Sequence, residues 1–216
     1  MLEMKTFSSR SGWLQGRSGR IGGSEASAIV GMNPYRTNVE LWEIKTGRAV
    51  PEDISTNPYV FYGTKAEEHL RELFKLDFPQ YSVEYVENNL WLNSDKPFAH
   101  ASLDGWITDE DGRKGILEIK TTNILQSMQK EKWDHRIPDN YYAQVLHYLM
   151  VTGWDFAILK AQLKYDYDGE IFLTTKHYKI ERAEVLDDIE YLEEKEKAFF
   201  ECVRTCRKPN LVLPVI

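Results

Sequence analysis

The sequence has little cysteine and no long hydrophobic run. Its 216 residues include two cysteines, Cys202 and Cys206, and no second pair accompanies them as a zinc or iron–sulfur site would require. We therefore expect reduced thiols in an ordinary helical segment. No apolar stretch approaches the thickness of a bilayer, and the N-terminus lacks the apolar core of a signal peptide. These absences predict a soluble, cytoplasmic protein that does not associate with membranes.

The motifs of several common enzyme classes are also missing. There is no GxxxxGK[ST] loop, HExxH helix or GxGxxG turn, which disfavours a nucleotide motor, a zinc protease and a dinucleotide-dependent enzyme. Residues 22–26 approach the nucleophile elbow of serine hydrolases, but they lack the preceding strand and the second glycine. The chain also has no internal repeat and no low-complexity tract.

Acidic residues outnumber basic ones, but unevenly along the chain. The net charge is −7, which argues against a protein that coats nucleic acid without specificity. Residues 1–48 carry a net +3, whereas the remainder carries −10. A phosphate-binding surface near the N-terminus is therefore compatible with the acidic total, and a bound cation would offset carboxylate charge elsewhere.

The hydrophobic periodicity predicts a single α+β domain over residues 1–216, with a central mixed β-sheet flanked by helices. The hydrophobic content of 42% suits one well-packed core. The predicted helices span residues 24–30, 38–46, 59–78, 123–132, 139–152 and 181–207, of which the last is long and acidic. The predicted strands are two short ones within 82–93, a hairpin made by 98–107 and 115–121, then 156–163 and 171–180. The predicted loops are 10–23 and 49–58.

The most informative stretches are Ala-Ser-Leu-Asp-Gly at 101–105 and Leu-Glu-Ile-Lys-Thr at 117–121. Side chains alternate along a strand, so Glu118 and Lys120 point to one face while their apolar neighbours point to a core. If Asp104 lies on the neighbouring antiparallel strand, two carboxylates and an ammonium group converge. Such carboxylates suit Mg²⁺, and the lysine can hold or deprotonate a water, as phosphodiester cleavage requires. The alternative is an exposed Glu–Lys pair, which contributes little stability.

Two helical residues are candidates for the same cluster. Glu67 would support a metal if it faced inward, and its alternative is a solvated position on the helix surface. On the same helix, Glu68 and Arg71 have the spacing of a surface ion pair. Gln144 lies in an otherwise apolar helix, where it would orient a water or the lysine amine. Its alternative is an ordinary boundary residue.

Segment 10–31, which begins rich in Gly, Ser and Arg, is a candidate phosphate-binding segment. Arg17 and Arg20 offer guanidinium groups to phosphate oxygens, and Ser24, as predicted N-cap of the following helix, offers a hydroxyl beside free backbone amides. The alternative is a plain helix cap next to two solvated arginines. His100 lies four residues before the aspartate, where it would contact the carboxylates or have a structural role.

Five sequence blocks occur in a specific order, although each block alone is a weak signal. They are Trp13-x-x-x-Arg17-x-x-x-Ile21-x-x-Ser24-Glu25, Gly63-x-x-x-Glu67-x-x-x-Arg71, Ser102-x-Asp104-Gly105, Leu117-Glu118-x-Lys120 and Tyr142-Ala143-Gln144-Val145. With these blocks the sequence resembles the phage lambda-type exonucleases, also called YqaJ-like viral recombinases, of the PD-(D/E)XK nuclease superfamily. The likeness covers about residues 13–153.

The resemblance implies a metal site. Asp104 and Glu118 would bind the catalytic metal, and the main-chain carbonyl of Ile119 would complete its coordination. Lys120 would activate or position the attacking water. The implied cofactor is Mg²⁺, with Mn²⁺ as a substitute. The family usually has proline before the aspartate, where this chain has Leu103, a change that affects the approach to the strand and not the ligands.

The resemblance also implies supporting residues. Glu67 would support the metal and Gln144 would help to hold the site. Arg17 and Ser24 would grip the terminal 5′ phosphate of a DNA end, and Arg20 lies in the same segment.

The implied fold is restriction-endonuclease-like, and the implied activity is 5′-to-3′ exonuclease digestion of linear double-stranded DNA. The products would be 5′-mononucleotides, and the setting would be phage-type recombination in the cytoplasm of a bacterial host. The implied partners are double-stranded DNA ends, a single-strand annealing protein, and two further copies of the chain in a trimeric ring. The alternatives are an endonuclease of the same superfamily and a non-catalytic module that binds DNA ends.

Overall fold

The computed structural model describes residues 1–54 and 56–213. Its strands are β1 (Leu2–Thr6), β2 (Ile21–Gly22), β3 (Ser82–Glu84), β4 (Asn89–Asn93), β5 (Ala99–His100), β6 (Gly105–Thr108), β7 (Lys114–Ile124), β8 (Phe156–Tyr167) and β9 (Glu170–Glu181). Its helices are α1 (Arg10–Arg17), α2 (Gly23–Ile29), α3 (Asn38–Lys45), α4 (Pro58–Asp77), α5 (Ser127–Glu131), α6 (Asp139–Thr152) and α7 (Leu186–Arg204), with a 3₁₀ turn at Arg182–Glu184. Residue 55, within the predicted loop 49–58, and residues 214–216, at the end of the predicted domain 1–216, lie outside the described residues.

A five-stranded mixed sheet forms the centre of the fold, in the order β3-β6-β7-β8-β9. β7 and β8 are parallel, while the other neighbouring strands are antiparallel. A parallel pair needs a crossover connection, and α6 lies in the one between β7 and β8. Two small pairs, β1 with β4 and β2 with β5, complete the strands. This architecture confirms the predicted α+β class with a central mixed sheet flanked by helices.

Different helices cover the two faces of the sheet. Leu117 and Ile119 of β7 pack with Leu70 and Phe74 of α4 in one hydrophobic cluster. A larger cluster includes residues of α2, α3, α6 and α7. Because side chains alternate along β7, Glu118 points away from α4 and meets α6. The strand pattern thus places a carboxylate between the sheet and a buried helix.

Local signals account for the ends of the two helices that position the site. Asn57 caps α4 by accepting a hydrogen bond from the Tyr59 amide at 2.9 Å, and Pro58 occupies the first turn. α6 begins after Pro138 and ends at Gly153, whose φ of 68° lies in the left-handed region. Within the described residues, none of the helices combines the length and apolar character needed to cross a membrane.

The prediction of a loop over residues 10–23 is wrong, because α1 and β2 occupy most of it. The Ser9 side chain caps α1 by accepting a hydrogen bond from a first-turn amide. A Cβ on Gly16 would lie 2.5 Å from the ring of Phe7, so this glycine permits close packing and does not mark a loop. Tertiary contact here overrides the low helix propensity of the segment.

Other element boundaries also differ from the prediction. Gly22, not Ser24, is the N-cap of α2. β7 continues to residue 124 because β8 pairs with it over that length, which leaves only the short α5 within the predicted helix 123–132. β9 extends to residue 181 and a 3₁₀ turn follows, so the last helix starts later than predicted, at residue 186. β1 has no predicted counterpart and is defined by its pairing with β4.

Candidate active site

Two candidate carboxylates lie side by side where β6 begins beside β7. These strands are antiparallel with Gly105 opposite Leu117, so Asp104, immediately before β6, lies next to Glu118. The Oδ2 of Asp104 accepts a hydrogen bond from the Ile119 amide at 2.9 Å. This bond holds the aspartate against β7, and the structure thus brings together the two carboxylates that the sequence pattern pairs.

Glu118 uses only one of its two oxygens in hydrogen bonds. The residue is 1% exposed, and its Oε1 accepts from the Lys120 Nζ at 2.5 Å and from the Gln144 Nε2 at 2.8 Å. Its Oε2 is buried and has no hydrogen-bond partner among the described residues. Leaving a buried carboxylate oxygen unpartnered is costly, and a divalent cation would satisfy it. The surroundings of the Glu118 carboxylate therefore suit a role as a metal ligand.

Gln144 connects this carboxylate to the rest of α6. Its Nε2 donates to the Tyr148 hydroxyl at 2.9 Å as well as to Glu118. Both α6 residues are buried. The amide therefore fixes the orientation of the glutamate, and Gln144 is buried behind that glutamate and does not lie at the boundary between the apolar face and solvent.

Glu67 of α4 interacts electrostatically with the carboxylate pair. It is half-buried, and its charge interacts with that of Asp104. One turn later, Arg71 donates from its Nη1 to the Asp104 carbonyl at 2.5 Å, and its Cζ lies 3.6 Å from the centre of the Tyr85 ring. The interpretation of Arg71 as a surface partner of Glu68 is wrong, because Arg71 is buried and directed at the site.

Burial and mutual repulsion raise the pKa values of the clustered carboxyl groups. The pKa of Glu118 rises to about 8, chiefly through burial and then through the charge of Asp104. The same two causes raise the pKa of Glu67 to about 7, and burial raises that of Asp104. Burial alone would lower the pKa of Lys120, but the two carboxylates beside it outweigh burial and hold that pKa above its ordinary value. The cluster is short of positive charge, which a divalent cation would supply.

The described residues contain no group of three or more His, Cys, Asp or Glu side chains placed to hold a metal ion. A cation at this site would therefore depend on the Asp104 and Glu118 side chains, with main-chain or water oxygens as its other ligands. Mg²⁺ commonly keeps several waters and takes only one or two carboxylates, so such a ligand set suits it.

Arg17 makes its hydrogen bond and its ring contact outside the carboxylate cluster. It ends α1, and its Nε donates to the Nε2 of His100 at 3.2 Å while its Cζ lies 4.1 Å from the centre of the Trp13 ring. Its charge also interacts with Tyr148. Arg17 is thus connected to Glu118 indirectly, through its electrostatic interaction with Tyr148 and the hydrogen bonds that Gln144 donates to Tyr148 and Glu118. His100 contacts this arginine, not the carboxylates.

The other two candidate phosphate residues have different surroundings. Ser24 is exposed in the first turn of α2. Arg20 is half-buried, its carbonyl accepts a hydrogen bond from the Lys45 Nζ at 2.5 Å, and it lines a small pocket with Phe199 of α7. The charge of Arg20 nevertheless acts on His100, the hydrogen-bond partner of Arg17, so both arginines lie near the same histidine.

Sequence reasoning misses residues that shape this region. Tyr148 lies four residues after Gln144 and so shares its helix face, which is a signal that identifies it from sequence. A Cβ on Gly23 would lie 2.4 Å from the Tyr148 ring, so α2 approaches α6 closely only with glycine there. Glu25 accepts a hydrogen bond from the Gly22 amide at 2.9 Å, which is a local capping pattern, and it pairs with Lys45 at 2.7 Å, a contact that no local pattern predicts.

The sequence matches a protein-family profile and a bacterial relative. Residues 12–155 match the sequence profile of the YqaJ-like viral recombinase domain. The chain is also similar to the uncharacterized protein YqaJ of Bacillus subtilis, with 36% identity over 150 residues. That match covers 68% of this chain but 44% of the Bacillus protein, so the chain spans less than half of its relative.

Solved structures show the same fold at low sequence identity. An alkaline exonuclease, LHK-Exo from Laribacter hongkongensis, has a TM-score of 0.62 at 18% identity, covering 91% of this chain and 96% of that one. Its complex with dAMP gives the same TM-score and coverage at 17% identity. A phage-related exonuclease from Haemophilus somnus has a TM-score of 0.53 at 15% identity, with coverage of 86% and 95%. These likenesses establish a shared fold.

Proposed function

Because this chain belongs to the YqaJ-like viral recombinase domain family, we propose that it is a metal-dependent DNA exonuclease. It digests linear double-stranded DNA from 5′ to 3′ and releases 5′-mononucleotides. The observation that carries the proposal is the convergence of Asp104, Glu118 and Lys120 beside a buried carboxylate oxygen without a partner. Family membership and the exonuclease-like fold indicate a nuclease, and this cluster is where its chemistry is expected.

The proposed metal ligands are the carboxylates of Asp104 and Glu118 and the carbonyl of Ile119, with Glu67 in support. The ion is Mg²⁺, with Mn²⁺ as a substitute. When bound, a divalent cation lowers the pKa of a water and stabilises negative charge that develops on a phosphate. The raised pKa values of the carboxyl groups are consistent with a site built for a cation.

The chain's own residues orient the reacting groups. Lys120 stays protonated because its pKa is raised, so its ammonium group donates to the attacking water and faces the negative phosphate. Gln144 holds the Oε1 of Glu118 and leaves the Oε2 available to a cation. Positioning and electrostatic stabilisation together account for most of the catalysis that such a site can supply.

The proposed phosphate-binding residues set the register of the DNA end. Arg17, with Ser24 and Arg20, binds the terminal 5′ phosphate, so that the next phosphodiester lies at Lys120. The guanidinium of Arg17 suits two phosphate oxygens, and the surrounding N-terminal segment carries the positive part of the net charge.

The wider assembly is part of the same proposal. The chain forms a trimeric ring around duplex DNA, which would let an acidic protein bind DNA through basic residues that line only the passage. It acts with a single-strand annealing protein in recombination, in the cytoplasm of a bacterial host. The description of the family as viral recombinases supports this part.

The test uses linear duplex DNA labelled at either the 5′ or the 3′ terminus, with and without Mg²⁺. We expect early release of the 5′ label as mononucleotide, late release of the 3′ label, and no release without a divalent cation. Covalently closed plasmid should stay intact. Rapid nicking of the plasmid would instead indicate an endonuclease of the same superfamily. Binding of ends without release in any divalent cation would indicate a module without catalysis.

A further inference from the structure

We propose that His100 is a positioning residue that aims the Arg17 guanidinium at the terminal 5′ phosphate and so sets the preference for phosphorylated DNA ends. This inference rests on the proposed function, in which Arg17 binds that phosphate. It assigns a role to a histidine that lies outside the carboxylate cluster.

The geometry leaves the outer end of the arginine available. The Nε of Arg17 donates to the Nε2 of His100 at 3.2 Å, and the Trp13 ring lies 4.1 Å from its Cζ. The guanidinium is therefore fixed along one edge and on one face. Within the described residues neither Nη of Arg17 has a hydrogen-bond or ion-pair partner. Two parallel N–H groups in this position match the oxygens of a phosphate.

The hydrogen bond also defines the state of the histidine. A guanidinium only donates, so the Nε2 of His100 must carry a lone pair and the proton of the neutral ring must lie on Nδ1. Burial and the charge of Arg17 lower the pKa of His100 to about 2, which agrees with a neutral acceptor. The Nδ1 is buried and has no partner among the described residues. The bond from Arg17 is therefore the one hydrogen bond that the ring nitrogens of His100 make among the described residues.

The surroundings fix His100 from two sides. Its carbonyl interacts with the Nε2 of His147 at 2.8 Å, and the Nδ1 of His147 lies 2.7 Å from the Oε1 of Glu196. Gly22 is its register partner in the β2–β5 pair, and a Cβ there would lie 2.9 Å from the imidazole ring. A ring confined in this way holds Arg17 in place before DNA arrives, and such preorganisation favours a tight and selective contact.

Two substitutions of His100 separate positioning from a general structural role. Glutamine places its amide oxygen where Nε2 lies, whereas asparagine places it near Nδ1, so both are polar but only His100→Gln keeps the acceptor for Arg17. We expect His100→Gln to keep the ratio of cleavage rates on 5′-phosphorylated and 5′-hydroxyl duplexes. We expect His100→Asn to lower that ratio about tenfold, as for the loss of a hydrogen bond to a charged group. Combined with Arg17→Ala, His100→Asn should lower the ratio no further.

A binding measurement gives a second readout that does not depend on turnover. In an Asp104→Asn background, fluorescence anisotropy without Mg²⁺ should show His100→Asn weakening binding of 5′-phosphorylated ends selectively. If His100→Asn does not fold, Gly22→Ala places a methyl group 2.9 Å from the ring and at ordinary contact distance, 3.6 Å, from an Nη of Arg17, so it displaces the ring first and should shift the ratio in the same direction. Equal losses on both kinds of end in all His100 variants would overturn the inference. If Arg17→Ala lowers the ratio and His100→Asn does not, the inference alone fails. If Arg17→Ala leaves the ratio unchanged, the proposed phosphate site itself fails.

Discussion

At the scale of single residues, the site is set by which polar atoms the fold leaves without partners. Glu118 has one oxygen held by two donors and one buried oxygen that has no hydrogen-bond partner among the described residues. Lys120 keeps its charge against burial because two carboxylates lie beside it. The buried pair of His147 and Glu196 also leaves a glutamate oxygen without a partner, so the feature that distinguishes Glu118 is the second carboxylate, that of Asp104, whose charge acts on it. These residues are therefore better explained as a prepared site than as a stabilising pair.

Replacing Asp104 tests the carboxylate pair. Asp104→Asn should lower Mg²⁺-dependent release of nucleotides from linear duplex by at least about a hundredfold, because a lost cation ligand removes several kcal/mol of transition-state stabilisation. Binding of DNA ends, measured by anisotropy without Mg²⁺, should persist. The matched control is Glu68→Gln, which changes an exposed carboxylate on α4 and should leave the rate unchanged. If Asp104→Asn and Glu118→Gln both digest linear duplex as fast as the parent protein, the active site lies elsewhere.

Replacing Arg17 tests the phosphate contact. Arg17→Ala should slow attack on 5′-phosphorylated ends about tenfold or more, since it removes charge-assisted hydrogen bonds, and should change attack on 5′-hydroxyl ends little. Initial rates on the two substrates give the result, with Arg204→Ala on the exposed end of α7 as control. Equal slowing on both substrates would argue against a phosphate pocket.

At the scale of elements, a buried ion pair joins α6 to α7. The Nδ1 of His147 and the Oε1 of Glu196 are 2.7 Å apart, and both side chains are fully buried. Burial alone would lower the pKa of His147, but the charge of Glu196 outweighs it and holds that pKa above its ordinary value of 6.5. The pair connects the helix that carries Gln144 to the long C-terminal helix.

This pair predicts a pH dependence of stability. A histidine whose pKa is raised on folding stabilises the fold fully below pH 6.5 and loses that contribution as the pH rises through its folded pKa. The melting temperature of the parent protein should therefore fall as the pH rises from 6.5 through the folded-state pKa of His147. Glu196→Gln should be less stable at pH 6 and should show a smaller fall, as measured by calorimetry from pH 6 to 9. An equal fall in both proteins would mean that the pair does not titrate with folding.

At the scale of the whole molecule, one sheet and the helices packed on it carry both proposed sites. Its α4 side contributes Glu67 and Arg71, and its α6 side contributes Gln144 and Tyr148, so the carboxylates lie where the two layers meet β6 and β7. The N-terminal segment then packs against α6 through Gly23. The proposed sites for chemistry and for binding a DNA end are thereby attached to one packed framework.

Binding of a cation should stabilise the whole fold. At a Mg²⁺ concentration about 100 times its dissociation constant, linkage stabilises the native state by about 2.7 kcal/mol, which raises the melting temperature of a chain this size by roughly 5–10 °C. Thermal melts with and without Mg²⁺ measure the shift. Asp104→Asn should show little of it. A parent protein that melts at one temperature in both conditions would contradict the proposed metal site.

The proposed ring predicts the mass of the particle in solution. Sedimentation should show a species near three times the chain mass of 25.2 kDa. A single species of one chain mass at all protein concentrations would rule out the trimer while leaving the active site untouched.

The sequence by itself determined the features that depend on neighbouring residues. Alternation along β7 separates Glu118 and Lys120 from their apolar neighbours, and caps with periodic apolar positions define α4 and α6. The α+β class and the ordered motif blocks follow from such local patterns. Local patterns therefore predicted the class of fold, the family and the candidate cluster.

Only the tertiary structure decided contacts between distant segments. The bond from Arg17 to His100 joins residues 83 positions apart, and the close approach of Gly23 to Tyr148 depends on how α2 meets α6. The helix α1 forms from a segment whose composition predicts a loop, because its glycine packs against an aromatic ring. Burial likewise belongs to the folded chain, and burial is what raises the pKa values of the carboxyl groups and leaves one of their oxygens without a partner.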